Sequence, residues 1–382
     1  GADYIIITHP NLAAAIAPLA SHRAAQGLRV VTVDVEAIYD AFGPGHMDAE
    51  AIKNFLEHAY HNWAAPAPVY VLLVDDGSYD FKNHSGHNPA TLIPPYLDWV
   101  DPWWGETAAD NLLVTIVGGD HLPDMLIGRL PVNTGAETAT VVNKIIQYEN
   151  AAFPKPWFVY QLIVSDDPDA EGDFHLLANK VYSAIKSPFT GLRMYYSTAT
   201  SQPHMFTDAG VLRDALIYSL RGGIGMVTFY GHSSWHQWIP ENALHMDDIS
   251  LLDNQYRLPI VVELTCFTGY FHHPEYATMD ESFLRKSGGG AVGVWGSTGL
   301  GVPDVHSILQ QGFYAALTNP GTDATLGAAA LAGKMAVTSS GFNGNLADTY
   351  TLFGDPALNP RFNNSPSLFD FENVFMPVIA RH

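Results

Sequence analysis

The chain is short of basic residues and nearly lacks cysteine. Of its 382 residues, 18 are Lys or Arg and 39 are Asp or Glu, which gives a formal charge of -21. That charge repels phosphate, so we expect no nucleic-acid partner. The single cysteine excludes an internal disulfide, a structural zinc cluster of thiolates and an iron–sulfur cluster. No apolar run approaches the roughly 18 residues that a membrane span requires.

The residues that are present are typical of a folded globular protein. Hydrophobic residues make up 47% and aromatic residues 12% of the chain, too much for a disordered segment. Short apolar runs such as 69–74 and 226–230 alternate with amphipathic helical stretches such as 48–63. The runs 112–117 and 125–130 also predict strands. This alternation predicts an α/β fold with mostly parallel sheets and crossover helices.

The alternation begins again after Phe153-Pro-Lys-Pro156. We therefore expect two α/β subdomains, an N-terminal one over 1–152 and a C-terminal one over 153–360. Residues 361–382, with Asn363-Asn364-Ser365-Pro366, are predicted to be a linker or tail.

Two predicted strands end in chemically reactive residues. The strand 226–230 runs into Gly231 and His232, and the strand 260–265 runs into Cys266. The carboxyl ends of neighbouring parallel strands form sites in open α/β sheets. An imidazole there can take the proton of a thiol and return it to a leaving amine, which suits a Cys–His hydrolase. The alternative is that Cys266 packs as a small buried hydrophobe.

The segments around these two residues resemble the catalytic region of the gingipain family of cysteine endopeptidases. The resemblance lies in Tyr230–Trp238 and Glu263–Phe271, and more weakly in 119–131 and 353–358. It implies a caspase-like fold of two side-by-side α/β subdomains, of which the C-terminal one is catalytic, and a hydrolase that cleaves peptides or proteins. It also implies no organic cofactor, a secreted or cell-surface location, and further domains of a larger precursor.

The resemblance assigns roles to individual residues. Cys266 corresponds to the nucleophile and His232 to the general acid/base. The backbone N–H groups of Cys266 and Ser233 correspond to the oxyanion donors, although the family usually has Gly where Ser233 stands. The acid that orients the histidine corresponds to Asp166 or Asp167, with Asp167 aligning slightly better. An ordinary turn cluster is the alternative for these two acids.

Substrate recognition is assigned in the same way. Asp173 takes the place of the family's pocket Asp, which implies cleavage after Arg or Lys; the alternative is that it caps the helix beginning near Phe174. Leu264 is expected to line a wall of the pocket, and Trp238 to contact substrate. The chain lacks the family's pocket Trp after Thr298, which leaves the basic preference open.

The sequence also suggests calcium sites and two alternative functions. The loops 98–101, 110 and 120–124 are rich in carboxylates that suit Ca²⁺, which the resemblance implies, with solvated surface acids as the alternative. A metal-dependent hydrolase built on His232, His236 and the pair at 272–273 is one alternative function. A non-catalytic binding or scaffold relative within a larger surface protein is the other.

Overall fold

The computed structural model describes residues 1–86, 91–151, 156–199, 202–319, 324–342, 344–360 and 362. The predicted subdomain boundary at 152–153 and, apart from Phe362, the predicted tail lie outside the described residues, so both stay predictions. None of the helices within these ranges is long and apolar enough to cross a membrane.

The described residues form sixteen strands and ten helices. The strands are β1 Tyr4–Thr8, β2 Val30–Asp34, β3 Tyr70–Val74, β4 Leu97–Asp101, β5 Gly105–Ala108, β6 Leu126–Leu130, β7 Tyr160–Ser165, β8 Thr190–Tyr196, β9 Met205–Phe206, β10 Met226–Tyr230, β11 Ser233–Ser234, β12 Gln237–Trp238, β13 Leu244–His245, β14 Ile260–Leu264, β15 Gly293–Ser297 and β16 Tyr350–Phe353. The helices are α1 Pro10–Ala25, α2 Val35–Phe42, α3 Ala49–Asn62, α4 Gly135–Asn150, α5 Phe174–Ala184, α6 Ala209–Gly222, α7 Met279–Arg285, α8 Pro303–Thr318, α9 Leu326–Ser340 and α10 Asn345–Asp348.

Eleven of these strands form one sheet, in the order β2-β1-β3-β6-β16-β15-β14-β10-β7-β8-β9. Neighbouring strands are parallel except for β15 and β16, where the direction reverses once. The strands β1, β10, β14 and β15 are buried at every position, as expected where helices cover both faces of a parallel sheet. The predicted α/β class is confirmed.

One predicted strand is wrong. Residues Asp110–Val114 form a 3-10 turn, and the segment up to Val117 has no strand. The carboxylate of Asp124 accepts the N–H groups of Ile116 and Val117, at 2.7 Å each. A local side chain therefore satisfies the donors that a strand would have paired with its neighbour.

A buried polar cluster joins β1 and α1 to the segment that follows β16. Asp355, just after β16, accepts the hydroxyl of Tyr4 at 2.9 Å and the Nε–H of Arg23 at 2.9 Å. The Arg23 guanidinium also donates to both oxygens of Glu149 on α4. All four side chains are buried, so this network fixes α1, α4 and the central strands against one another.

Candidate active site

His232 and Cys266 lie on two neighbouring loops at one edge of the sheet. Strands β10 and β14 are parallel partners, with Tyr230 opposite Leu264. Each of the two reactive residues follows its strand's last paired position by two residues. The register of the sheet thus brings together the two residues on which the sequence-based hypothesis depends.

Side chains tie these two loops together. The hydroxyl of Thr265 donates to the carbonyl of Gly231 at 2.5 Å, and it lies 2.6 Å from the hydroxyl of Ser233. The Ser233 hydroxyl also donates to the carbonyl of Cys266. Glycine, which the family usually has at this position, could not make these bonds. Ser233 therefore fixes the histidine loop directly to the nucleophile loop.

The backbone N–H of Ser233 is directed away from β12. The N–H of Ile239 donates to the carbonyl of His232 at 2.9 Å, and Ser233 is the next pair along, opposite Trp238. In an antiparallel ladder, hydrogen-bonded pairs alternate with non-hydrogen-bonded pairs. The Ser233 N–H is therefore not used by β12, as an oxyanion donor requires.

Asp166 is the carboxylate that holds the Nδ1 side of His232. Its Oδ2 lies 3.1 Å from the ring Nδ1 and accepts the backbone N–H of His232 at 3.1 Å. Gly231 permits this approach, because a Cβ there would lie 2.3 Å from the Cβ of Asp166. The hydrogen bond that His232 donates to Asp166 outweighs the opposing effect of burial and raises the pKa of His232 to about 9.

Asp167, the residue favoured for this role by the sequence, is directed elsewhere. Its carboxylate accepts the hydroxyl of Thr198 at 3.3 Å. The N–H of Asp166 donates to the carbonyl of Tyr230, which continues the β7–β10 ladder by one residue. Since successive side chains of an extended segment point to opposite sides, Asp166 faces His232 and Asp167 does not.

Two further acids face the Nε2 of His232. Asp169 lies 3.5 Å and Glu171 lies 3.6 Å from this nitrogen, and the ring of Phe174 packs edge-on against the imidazole. Sequence reasoning gave neither acid a role. The available signal was the density of carboxylates in the segment 166–173, which follows β7 directly.

The thiol of Cys266 is largely buried and faces a carbonyl. Its Sγ lies 4.0 Å from the carbonyl oxygen of Gly301, to which it donates. Burial, followed by the negative charges of Asp101 and Glu171, raises the pKa of this thiol to about 11. At neutral pH the thiol of Cys266 is therefore neutral and the imidazole of His232 is protonated.

Asp101 organises the wall behind the nucleophile loop. Its buried carboxylate accepts the N–H groups of Trp103 and Trp104 at 2.9 Å each, and that of Leu300 at 2.5 Å. The carbonyl of the preceding Gly299 accepts the N–H of Phe267 at 3.1 Å. Sequence reasoning considered Asp101 only as a calcium ligand.

Three residues predicted to bind substrate make other contacts in the structure. Asp173 is exposed, and its side chain accepts the N–H of Leu176 at 2.8 Å, which makes it the N-cap of α5. Leu264 and Trp238 are fully buried in the core. The indole of Trp238 stacks on Phe229 at 4.6 Å. The last residues of a parallel strand belong to the core, which explains why Leu264 reaches no solvent.

The residues considered for metals are engaged in other contacts. Asp110 pairs with Arg129, and Asp124 accepts backbone N–H groups. His272 is buried, which lowers its pKa to about 3, and its Nε2 lies 3.2 Å from the hydroxyl of Thr107. Within the described ranges, no group of three or more His, Cys, Asp or Glu side chains could hold a metal ion.

Comparison with known proteins agrees with this geometry. The model of peptidase family C25 matches residues 1–361. The chain belongs to this family. C25 comprises cysteine-type endopeptidases, which are hydrolases. Among its relatives, gingipain R2 of Porphyromonas gingivalis is 25% identical over 355 residues, which is 87% of this chain and 42% of the relative. The Lys-gingipain of the same organism is 21% identical over 341 residues, which is 81% of this chain and 18% of the relative.

Solved structures of C25 peptidases share the fold. The Arg-specific cysteine proteinase gingipain R matches with a TM-score of 0.77 and 22% identity, over 93% of this chain and 77% of that one. The complex of pro- and mature domains of RgpB from P. gingivalis also gives 0.77, at 21% identity over 93% and 79% of the two chains. The predicted caspase-like fold and the gingipain resemblance are confirmed. This C25 chain spans less than half the length of the curated relatives it matches.

Proposed function

We propose that this chain is a cysteine endopeptidase in which Cys266 is the nucleophile and His232 the general acid/base. The observation that carries the proposal is the placement of both residues on adjacent loops, with Asp166 on the Nδ1 of His232. Family C25 membership supports the same reaction class. Asp166 orients the imidazole and stabilises its charged form.

The reaction begins when the pair loses one proton to solvent. Neutral His232 then accepts the thiol proton at Nε2, and the thiolate attacks the peptide carbonyl carbon to form a carbon–sulfur bond. The N–H groups of Ser233 and Cys266 stabilise the oxyanion. As the intermediate collapses, the carbon–nitrogen bond breaks and protonated His232 gives its proton to the amine. Water, deprotonated by His232, then hydrolyses the thioester.

Cleavage after basic residues is the first candidate specificity. Asp169 and Glu171 place negative charge beside the imidazole, and Asp173 lies in the same loop. A guanidinium or ammonium group entering here would be attracted by these carboxylates. Asp173→Asn separates the two roles of that residue, because Asn caps a helix about as well as Asp. If Asp173 selects the substrate, the variant keeps its melting temperature and loses the preference for Arg and Lys.

An apolar preference is the second candidate, and it is favoured by tryptophans beside the nucleophile loop. Trp103 and Trp104 follow β4 and are more than half exposed, at 56% and 57%. The ring of Trp104 contacts Phe267, the neighbour of Cys266, with centroids 5.3 Å apart. Exposed tryptophans beside a reactive loop suit contact with apolar substrate side chains.

A peptide-library cleavage profile of the wild type beside Cys266→Ala tests the proposal. We expect cleavage by the wild type only. Enrichment of Arg or Lys before the cut supports the acidic loop, and enrichment of apolar residues supports the tryptophans. Activity that persists in Cys266→Ala and disappears with a transition-metal chelator would replace this proposal with the metal-dependent hydrolase. An inert thiol and no cleavage would favour the scaffold relative.

Calcium binding, secretion and further domains are three additional proposals. The greater length of the relatives supports a longer precursor. The gingipain resemblance supports a secreted or cell-surface location. The test for calcium compares the melting temperature in added Ca²⁺ with that in a calcium-specific chelator. A higher melting temperature in Ca²⁺ would support a calcium site, and equal values would contradict it.

A further inference from the structure

Two fully buried carboxyl side chains lie beneath the nucleophile loop and have no role in the reaction described above. Glu263 is on β14, three residues before Cys266, and Asp280 is in the first turn of α7. Both are completely buried. Glu263 and Gly296 follow the paired residues Val262 and Trp295 of β14 and β15, and a Cβ on Gly296 would overlap Oδ2 of Asp280. The Asp280 carboxyl therefore lies over the strand neighbour of Glu263. A hydrogen bond between two carboxyl groups requires that one of them carries a proton, because carboxylates only accept.

Few other donors reach these carboxyl groups. The indole N–H of Trp238 donates to Oε1 of Glu263 at 2.6 Å. Among the described residues, no donor reaches the second oxygen of Glu263 or either oxygen of Asp280. Burial raises the pKa of both groups, and the charges of Glu263 and Glu281 raise that of Asp280 further.

The pair contacts the nucleophile loop through Thr268 and Gly269. Thr268 is two residues beyond Cys266, and its carbonyl accepts the backbone N–H of Asp280 at 3.4 Å. A Cβ on Gly269 would lie 3.0 Å from Oδ2 of Asp280, so the loop packs directly on this carboxyl. The loop following the thiol is thus seated on the acid pair.

The pair also reaches the histidine loop. Glu263 holds Trp238, which lies opposite Ser233 in the β11–β12 ladder. The next residue, Ile239, donates its N–H to the carbonyl of His232 at 2.9 Å. Hydrogen bonds and close contacts therefore link the two acids to the loops that carry the thiol and the imidazole.

We propose that Glu263 and Asp280 share one proton and position the Cys266 loop against the His232 loop. Both are positioning residues, since neither touches the reacting atoms. This inference rests on the proposed peptidase function and adds the residues that hold its two reactive loops in place.

Comparison of Asp280→Asn with Asp280→Ala tests the pair. Asn can still donate to Glu263, as the protonated Asp280 does, whereas Ala removes the link. We expect kcat in Asp280→Ala to fall about tenfold or more, with KM changed less than about twofold, because misplacement affects the chemical step. Asp280→Asn should recover most of kcat.

Glu281→Gln is the matched control. Glu281 is a buried acid on the same helix, but its carboxylate accepts the backbone N–H of Thr278 and pairs with Arg285. Its replacement should lower the melting temperature as much as Asp280→Ala does and leave kcat within about twofold. A loss of kcat in proportion to stability in all three variants would show a merely structural role and overturn the proposal.

Two readouts do not require peptidase activity. The infrared difference spectrum between the wild type and Asp280→Asn at neutral pH should contain the carbonyl band of one protonated carboxylic acid. The pH midpoint of Cys266 alkylation should move down in Asp280→Ala, towards the ordinary cysteine value of about 8.5, and stay in Asp280→Asn. Absence of the infrared band overturns the shared proton. If the wild type cleaves no peptide, the proposed function fails while these two measurements still decide the pair.

Discussion

His232 has carboxylates on both ring nitrogens, and they determine the charge at which the site rests. Its pKa is raised from an ordinary value of 6.5 to about 9, mainly by the hydrogen bond that the ring donates to Asp166. A raised pKa means that this interaction stabilises the folded chain fully below about pH 6.5 and is lost as the pH passes through about 9. The reactive form therefore becomes populated as the pH rises.

Asp166→Asn should move the rising limb of the pH profile of kcat/KM to lower pH. Removing the carboxylate lowers the pKa of His232, so the neutral imidazole is available in less alkaline solution. We also expect kcat to fall about tenfold or more, because the ring loses its orientation. Asp167→Asn is the matched control and should change neither quantity by more than about twofold. Equal effects of the two variants would contradict the assignment of Asp166.

Glu171→Gln should also move the rising limb to lower pH, with little loss of kcat. The charge of Glu171 raises the pKa of both Cys266 and His232, so its removal makes loss of a proton easier at both groups. The measurement is the pH profile of kcat/KM beside the pH dependence of thiol alkylation. Glu241→Gln offers a control acid outside these contacts. A limb that stays in place would show that Glu171 does not act on the pair.

At the scale of the element, the turn after β10 depends on a glycine. Gly231 has a φ of 154°, and a Cβ there would collide with Asp166. The same turn carries His232 and Ser233, so backbone conformation and site geometry are set together. The loop between β7 and α5 supplies Asp166, Asp169 and Glu171, which raise the pKa of His232. These two loops together therefore set the charge of the site.

Gly231→Ala should lower the free energy of unfolding by about 1–3 kcal/mol and strongly reduce activity. Gly27→Ala is the control, because Gly27 also has a positive φ, of 96°, but a Cβ there meets nothing within 4 Å. We expect about 1 kcal/mol and no loss of activity for Gly27→Ala. Urea unfolding and a peptide assay on both variants give the comparison. Similar activities would show that the approach of Asp166 is not required.

At the scale of the whole molecule, Asp355 connects the segment after β16 to β1 and α1. It is fully buried and serves both Tyr4 and Arg23. Asp355→Ala leaves a buried guanidinium without this partner, which should cost about 3–5 kcal/mol. Asp253→Ala breaks an exposed ion pair with Arg221 and should cost no more than about 1 kcal/mol. The check is the free energy of unfolding in urea; equal costs would contradict a central role for Asp355.

The general architecture could be predicted because its signals are local. Apolar runs indicated β3 and β10 almost to the residue, and the helix predicted over 48–63 is α3. The segment 112–117 was mispredicted because Asp124, outside that run, takes its N–H groups. The short strands β11–β13 carry little periodicity in two residues each and were not predicted.

The site was predictable only in part, because some of its contacts join residues that are far apart in the chain. Reactive residues placed just after apolar strands, together with the gingipain resemblance, indicated His232 and Cys266. The roles of Asp101 and Glu171 depend on contacts with residues far away in the chain, which no local pattern contains. Asp173 showed both possible signals, a pocket acid and an N-cap, and only its exposure and its bond to Leu176 favour the cap.

The sequence by itself determined the α/β class, the family and the two reactive residues, because strand periodicity and short motifs are written in consecutive positions. The tertiary structure alone decided which acid faces His232, since a one-residue step along an extended segment reverses the direction of a side chain. It also decided that Cys266 is largely buried, which raises the pKa of its thiol, and that Glu263 and Asp280 are both buried. Burial and charge proximity arise only when distant segments pack together.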